Sequence, residues 1–306
     1  MNSIELRREI HRNPELSFEE HKTQQLIIDA LKAEGINCRK IAGTGVLAKI
    51  EGERGNLSRA VVLRADIDAL PINEENDIEY KSEHEGVMHA CGHDMHTAIL
   101  FGVLQHFSHN RDFEGTLFGL FQPGEELNPG GAVKVLEEEP FEGYDVAAVI
   151  GEHVDMILRT TSLNTPECVV SIGRVIADGA TNVIPNMVSA EGTMRTFDKD
   201  IRERTHVYLN NNGRQIAEKY GVEVKVDISY GYPCVVNDIM LSYEAMIVAS
   251  DEGIAVRELK PMTTAEDFGH YTERYPSLFY RLGVGRNAGG SHTPTFLPDE
   301  RAMEYG

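Results

Sequence analysis

The 306-residue chain carries 49 acidic against 29 basic residues, a formal charge of −20, and such a balance argues against a nucleic-acid or anionic-membrane partner, whose phosphates it would repel. No apolar run approaches the ~20 residues needed to span a bilayer, and Glu5-Leu6-Arg7-Arg8-Glu9 has no apolar stretch behind it to form a secretory signal. The four cysteines (Cys38, Cys91, Cys168, Cys234) are widely spaced with no CxxC pair, which speaks for a reduced, cytoplasmic protein rather than a disulfide framework.

In chain order, residues 11–14 read as a turn, and Ser17 with Glu20 has the spacing of a capping box for the next helix. That helix places Ile27, Ile28 and Leu31 on one face and stops at Gly35. Strand-like runs follow at residues 46–50 and 60–63. A helix starting near Asp94 would bury Ile99, Leu100, Val103, Leu104 and Phe107. Next come a strand at 116–121, a helix at 131–138 and a strand at 146–150. Strands alternating with helices of this length indicate an α/β fold, a doubly wound and mostly parallel sheet.

After Asp155 the texture changes. Residues 169–175, 187–195 and 222–229 look like strands, with a long polar helix over 198–220. Residues 261–285 then return to strand-and-loop text. The expected organisation is a main domain of residues 1–155 plus 232–306, with a smaller α+β module, residues 156–231, inserted into it.

Five segments pair metal-binding residue types with a turn: Asp66-x-Asp68, His89-Ala-Cys91-Gly-His93-Asp94-Met-His96, Gly124-Glu125-Glu126, Gly151-Glu-His153 and Ser291-His292-Thr-Pro294. Four of them directly follow strand-like runs, and in open α/β sheets ligands bind outside the carboxyl ends of the strands. Cys91 and His93, two residues apart beside a glycine, suit zinc and its neighbours. Glu125 and Glu126 would repel one another without a cation or a proton between them, so one can bind metal while the other acts as general base. Asp66 and Asp68 share a face of an extended segment, and either can be a ligand or orient a ligating histidine. His153 and His292 are weak signals alone, lifted by their position after strands. His89 and His96 stay undecided within the cluster, while His11 and the remaining histidines read as structural or surface groups.

These residues resemble the amidohydrolase branch of the metallopeptidases that includes hippurate hydrolase, bacterial aminoacylases and plant auxin-conjugate hydrolases. The matching text runs from Leu6-Arg7-Arg8-Glu-Ile-His11-Arg-Asn-Pro14-Glu15-Leu through Arg64-Ala-Asp66-Ile-Asp68-Ala-Leu-Pro71 and the Cys91 segment to Phe121-Gln122-Pro123-Gly124-Glu125-Glu126. It continues in Asn182-Val-Ile-Pro185, Gly192-Thr-Met-Arg195, Ala265-Glu266-Asp267-Phe268 and His292-Thr-Pro-Thr-Phe296. The resemblance implies a site for two divalent transition-metal ions (zinc, manganese, cobalt or nickel) bound by Cys91, His93, Glu126, His153 and His292. Glu125 would be the general base, with Asp68 as a second catalytic group and Arg195 and Asn182 as substrate-binding residues. It also implies an inserted lid or dimerisation domain, and so a homodimer or higher homo-oligomer.

Three departures stand out. Relatives place a longer segment between His153-Val154 and the strand matching residues 169–175, carrying a histidine that reaches toward substrate, so the inserted module is expected to be incomplete. They also continue past the position of Gly306 with a closing helix. Glu152 replaces the usual apolar residue before His153. The expected activity is metal-dependent hydrolysis of the amide bond of N-acyl amino acids or similar small conjugates. The rivals are a dipeptidase or carboxypeptidase of the same superfamily, a cysteine hydrolase using Cys91 with His93, and a non-catalytic metal-binding relative.

Overall fold

The computed structural model describes residues 1–155, 168–179, 182 and 184–306. The expected start of the inserted module at residue 156, and Val183 of the Asn182-Val-Ile-Pro185 motif, lie outside the described residues. The chain divides into two units, one of Met1–Thr160, Val235–Arg257 and Glu266–Gly306, the other of Thr161–Cys234 and Glu258–Ala265.

The elements run α1 (Ser3–Arg12), α2 (His21–Ala33), β1 (Asn37–Ile41), β2 (Gly45–Glu51), β3 (Arg59–Asp66), α3 (His93–His109), β4 (Thr116–Gln122), α4 (Gly131–Glu137) and β5 (Asp145–Asp155). The second unit contributes β6 (Cys168–Ile176), β7 (Ser189–Thr196) and α5 (Lys199–Tyr220). The first unit resumes with α6 (Ile239–Asp251), α7 (Gly269–Thr272) and β8 (Ser277–Gly283), and a 3-10 turn spans Glu300–Glu304.

The main sheet has the order β1-β2-β4-β3-β5-β8. The pairs β3–β4, β3–β5 and β5–β8 are parallel, whereas β1–β2 and β2–β4 are antiparallel and make a hairpin edge. Both faces are covered, which is why β4 reads as an unbroken apolar run. Its Leu117 and Phe121 pack with Leu6, Ile27 and Phe101 of α1, α2 and α3. Its Phe118 and Leu120 pack on the other side with Val135, Leu136, Phe268 and Tyr271. Because β3, β4, β5 and β8 are parallel, their carboxyl ends share one edge, where Asp66, Gln122 and the His153 stretch arrive. No helix among the described residues is long and apolar enough to cross a membrane.

Several elements depart from the sequence expectation. Residues 222–229 form no strand: among the described residues β6 pairs with β7 alone, and Val224 and Val226 lie against Gly213 of α5 instead. A strand needs a neighbour to take its backbone groups, and those residues are given to a helix face. Helices α1 and α6 and strand β1 were not anticipated. Ser17 and Glu20 form no capping box, since the Glu20 side chain makes no cap hydrogen bond to α2.

Charged groups buried between α1 and α3 join these helices. Arg7 Nε meets Asp94 Oδ2 at 3.0 Å and its Nη1 meets Glu300 Oε1 at 2.9 Å. His11 bridges Asp94 Oδ2 (3.0 Å from Nδ1) and Glu74 Oε1 (3.2 Å from Nε2). Burial disfavours its imidazolium, but the bonds to Asp94 and Glu74 outweigh this and raise the group to about 9. A raised folded-state value stabilises fully below the unfolded value near 6.5, and that stabilisation disappears as pH rises through about 9. In urea titrations the stability gap between the unaltered protein and His11→Asn should therefore shrink by roughly 3 kcal/mol from about pH 6 to about pH 10. A gap independent of pH would show that His11 is neutral in the folded protein.

Candidate metal centre and active site

Each arm of the site is set by local geometry. Gly92 takes a left-handed φ of 90° as the residue before α3, so the chain turns sharply between Cys91 and His93 and both reach one cluster. Gly124, with φ 62°, makes the corresponding turn after β4 and presents Glu125 and Glu126. The loop after β8 returns His292, whose backbone N–H donates to Ala90 O at 2.7 Å and pins that loop to the Cys91 segment.

The donor atoms of Cys91, Glu126 and His292 all lie within 4.8 Å of one another, as do those of His93, Glu125 and Glu126. His292 Nε2 stands 3.3 Å and His93 Nε2 3.9 Å from Glu126 Oε1. That carboxylate oxygen is buried yet lacks a hydrogen bond of acceptable geometry. A thiol, two imidazoles and an orphaned carboxylate oxygen converging on one point fit a borderline-soft divalent cation. His93 is aimed from behind: its Nδ1 meets Asp68 O at 2.9 Å and Asp68 Oδ1 at 3.2 Å, which turns Nε2 toward the glutamates. Asp68 belongs to none of the donor groups and works through His93, with its Oδ2 also accepting the Glu126 backbone N–H at 3.0 Å.

His96 joins the cluster with Asp66 and His93. Its Nδ1 contacts Asp66 Oδ1, and its ring stacks on His93 with centroids 5.4 Å apart. His153 lies beyond it, 6.1 Å from the His96 ring, and enters none of the three-residue donor groups. Burial, His96 and Arg281 pull His153 down to about 3, so it is a neutral imidazole, the form that binds metals. Arg195, exposed on β7, and Asn182 are carried by the second unit.

Sequence reasoning assigned no role to Glu266 and Asp267. Their carboxylates and that of Glu125 lie within 4.8 Å of one another. Arg64 Nη2 sits 2.7 Å from Asp267 Oδ1 and 3.3 Å from Glu266 Oε1, while its Nη1 holds Asp66 Oδ2 at 2.8 Å. The available signal was an arginine two residues before Asp66, directly after the apolar run of residues 60–63, together with adjacent acids before the core residue Phe268. Burial, then Glu266 and Asp267, raise Glu125 well above the ordinary carboxyl range, and a raised glutamate is a base matched to neutral pH. Burial also pushes the Cys91 thiol up, the reverse of the lowered value an attacking thiolate requires.

The Peptidase family M20/M25/M40 model matches residues 62–306. The N-acetyl-L-cysteine deacetylase of Bacillus subtilis (strain 168) is 33% identical, with 98% of this chain and 84% of that protein covered. The N-acetyldiaminopimelate deacetylase of Anoxybacillus flavithermus (strain DSM 21510 / WK1) is 30% identical, over 98% of this chain and 93% of that protein. These alignments run to 356 and 359 residues, longer than the 306-residue chain, so both relatives carry residues without a counterpart here. Among solved structures, the Bacillus subtilis YXEP protein, described as a dinuclear metal binding peptidase from the M20 family, is 32% identical with a TM-score of 0.87. The match covers 99% of this chain and 94% of that one.

Cys91→Ala should lower the metal bound per chain, measured by elemental mass spectrometry after equilibration with zinc or manganese. Chelation should abolish activity, and a divalent transition metal should restore it. Activity that survives thorough chelation yet disappears on thiol alkylation would make Cys91 a nucleophile.

Proposed function

Because the chain belongs to Peptidase family M20/M25/M40 and is a metal-dependent amidohydrolase, we propose that it cleaves the amide bond of N-acyl amino acids or similar small conjugates. The observation that carries this reading is the orphaned Glu126 oxygen facing Cys91, His93 and His292, with the raised carboxyl of Glu125 beside it. Cys91, His93, Glu126, His153 and His292 would hold two divalent transition-metal ions. When bound, such ions polarise the amide carbonyl and make water easier to deprotonate.

The chain's own part is proton handling and orientation. A Glu125 carboxylate oxygen takes the proton of the attacking water as its oxygen bonds to the carbonyl carbon. The same group returns that proton to the amide nitrogen as the C–N bond breaks, leaving a carboxylate and an amine. Asp68 fixes the His93 ring throughout. The second unit is assigned the lid and homo-oligomer contacts. Arg195 is assigned the free α-carboxylate of the substrate, because a guanidinium presents paired donors matching two carboxylate oxygens, and Asn182 is assigned a neighbouring polar contact.

The same donor set serves peptide amides, and the similar Bacillus subtilis structure is described as a peptidase. A panel of N-acetyl amino acids, dipeptides and carboxypeptidase substrates separates the two readings, and dominant dipeptide turnover would overturn the first.

Glu125→Gln should keep its metal while losing about 10²–10⁴-fold in rate, whereas Glu126→Gln should lose metal as well. Near-normal turnover by Glu125→Gln would reverse the assignment of base and ligand.

N-acyl amino acids should also be cleaved much better than their carboxamides. Arg195→Ala should lower kcat/KM for the acids far more than for the amides. Equal hydrolysis of the two forms by the unaltered protein would take Arg195 out of the site.

A further inference from the structure

In the short segment between α1 and α2, Glu15 accepts the Lys22 and Thr23 N–H groups that open α2, which leaves Ser17 and Glu20, despite their capping spacing, for something else. Ser17 Oγ donates to Asp68 Oδ2 at 2.6 Å instead of capping α2. Glu20 Oε1 accepts the Gly124 backbone N–H at 2.9 Å, and its other oxygen accepts the Thr44 hydroxyl. The backbone joins in, with Ala69 N–H donating to Glu15 O at 2.8 Å and Leu16 bridging to Ala69. Residues 15–20 thus grip both arms of the site at once, the Asp68 arm and the Gly124-Glu125-Glu126 arm.

Phe18, between these two anchors, carries a φ of 64°. For a bulky side chain this is an outlier, and such strain persists only where the surroundings over-determine it. Its ring lies so close to Gly124 that a Cβ there would stand 2.4 Å from Phe18 Cζ. Lys134 Nζ sits over the same ring, 3.4 Å from its centroid. A segment that turns Ser17 and Glu20 toward the site and holds an aromatic residue at positive φ is being kept in place by those contacts.

We infer that Ser17 is a positioning residue of the active site, acting through Asp68 on the metal-binding donors. The inference rests on the metal-site reading given above. Asp68 has three donors to satisfy it: the Ser17 hydroxyl and Glu126 N–H on Oδ2, and His93 Nδ1 on Oδ1. The hydroxyl fixes the plane of the carboxylate. With that plane fixed, one oxygen aims His93 while the other holds the backbone of Glu126. Without Ser17 the carboxylate can rotate about its last bond, and both donors lose their common reference.

The test is Zn²⁺ and Mn²⁺ affinity by competition with a fluorescent chelator, on the full chain and its Ser17→Ala and Ser17→Thr variants, with melting temperatures to confirm folding. Ser17→Ala should bind metal about 10–100-fold more weakly, the usual cost of losing a partner that orients a ligand, and Ser17→Thr should recover most of the affinity. In hydrolysis kinetics kcat should fall more than KM rises. In an Asp68→Asn background Ser17→Ala should add little, because the two act as one unit. Should Ser17→Ala prove too unstable to purify, Ser17→Cys keeps the volume with a weak donor and is judged by the same criteria. Unchanged affinity in the serine variants, or full additivity with Asp68→Asn, overturns the inference while leaving the metal-site reading intact. Absence of metal binding by the unaltered protein overturns both.

Discussion

Arg64 carries a full positive charge into the centre of the sheet, and the arrangement of acids around it governs the first unit. Its guanidinium is fully buried and meets Asp66 at 2.8 Å, Asp267 at 2.7 Å and Gln122 at 3.0 Å. Tyr271 donates to the same Gln122 at 2.8 Å, and Asp267 in turn accepts the Ala132 N–H at the start of α4 at 3.0 Å. One side chain thereby ties β3, β4, α4 and α7 at the edge where the donors gather. Removing one partner of such a buried network typically costs about 3–5 kcal/mol, because the remaining charges stay buried and unpaired. Asp66, held by Arg64, can then keep its other oxygen on His96.

The same edge holds more negative charge than Arg64 balances. Asp66, Asp68, Glu125, Glu126, Glu266 and Asp267 come together there, and burial raises Glu266 to about 8 and Asp267 to about 6. Asp66 goes the other way: burial opposes its ionisation, but His93, Arg64 and His96 prevail and hold it well below the usual range. The site therefore divides its carboxyls into two kinds. Asp66, on Arg64 and His96, and Asp68, on His93 and Ser17, are held as anions by fixed partners, whereas Glu125, Glu266 and Asp267 retain protons more strongly despite Arg64. A cation held by Glu126, Cys91 and the histidines, as proposed above, would supply the balance the protein's own bases do not.

Much of this was legible in the sequence. The apolar runs of β3, β4 and β5 announce strands buried on two faces, and the residue types after them mark the edge where ligands gather. Cys91, His93, Glu125, Glu126 and His292 are brought together as those motifs suggested. What local patterns could not carry is the choice of partner. Ser17 and Glu20 have capping spacing, yet Asp68, Thr44 and Gly124 compete for the same polar atoms and take them. Residues 222–229 have strand composition, but no neighbour among the described residues offers them a ladder. Asp66 and Asp68 are equivalent by periodicity, and only the packing of α3 gives His96 to one and His93 to the other. His153 lies within β5 rather than after it, beside the His96 ring and outside the donor groups around Glu126.

The character of Cys91 follows from the same electrostatics. A thiol that attacks a carbonyl must be partly ionised beforehand, which calls for an electropositive and accessible setting. Cys91 is buried beside Glu125 and Glu126, and burial raises its proton affinity first of all. His93, which favours the thiolate, is also engaged by Asp68 at Nδ1 and faces carboxylates at Nε2. A divalent cation reverses the balance, because the positive charge that joins the thiolate also relieves the two glutamates. The surroundings that make Cys91 a poor nucleophile are the ones in which a metal ion gains most from it.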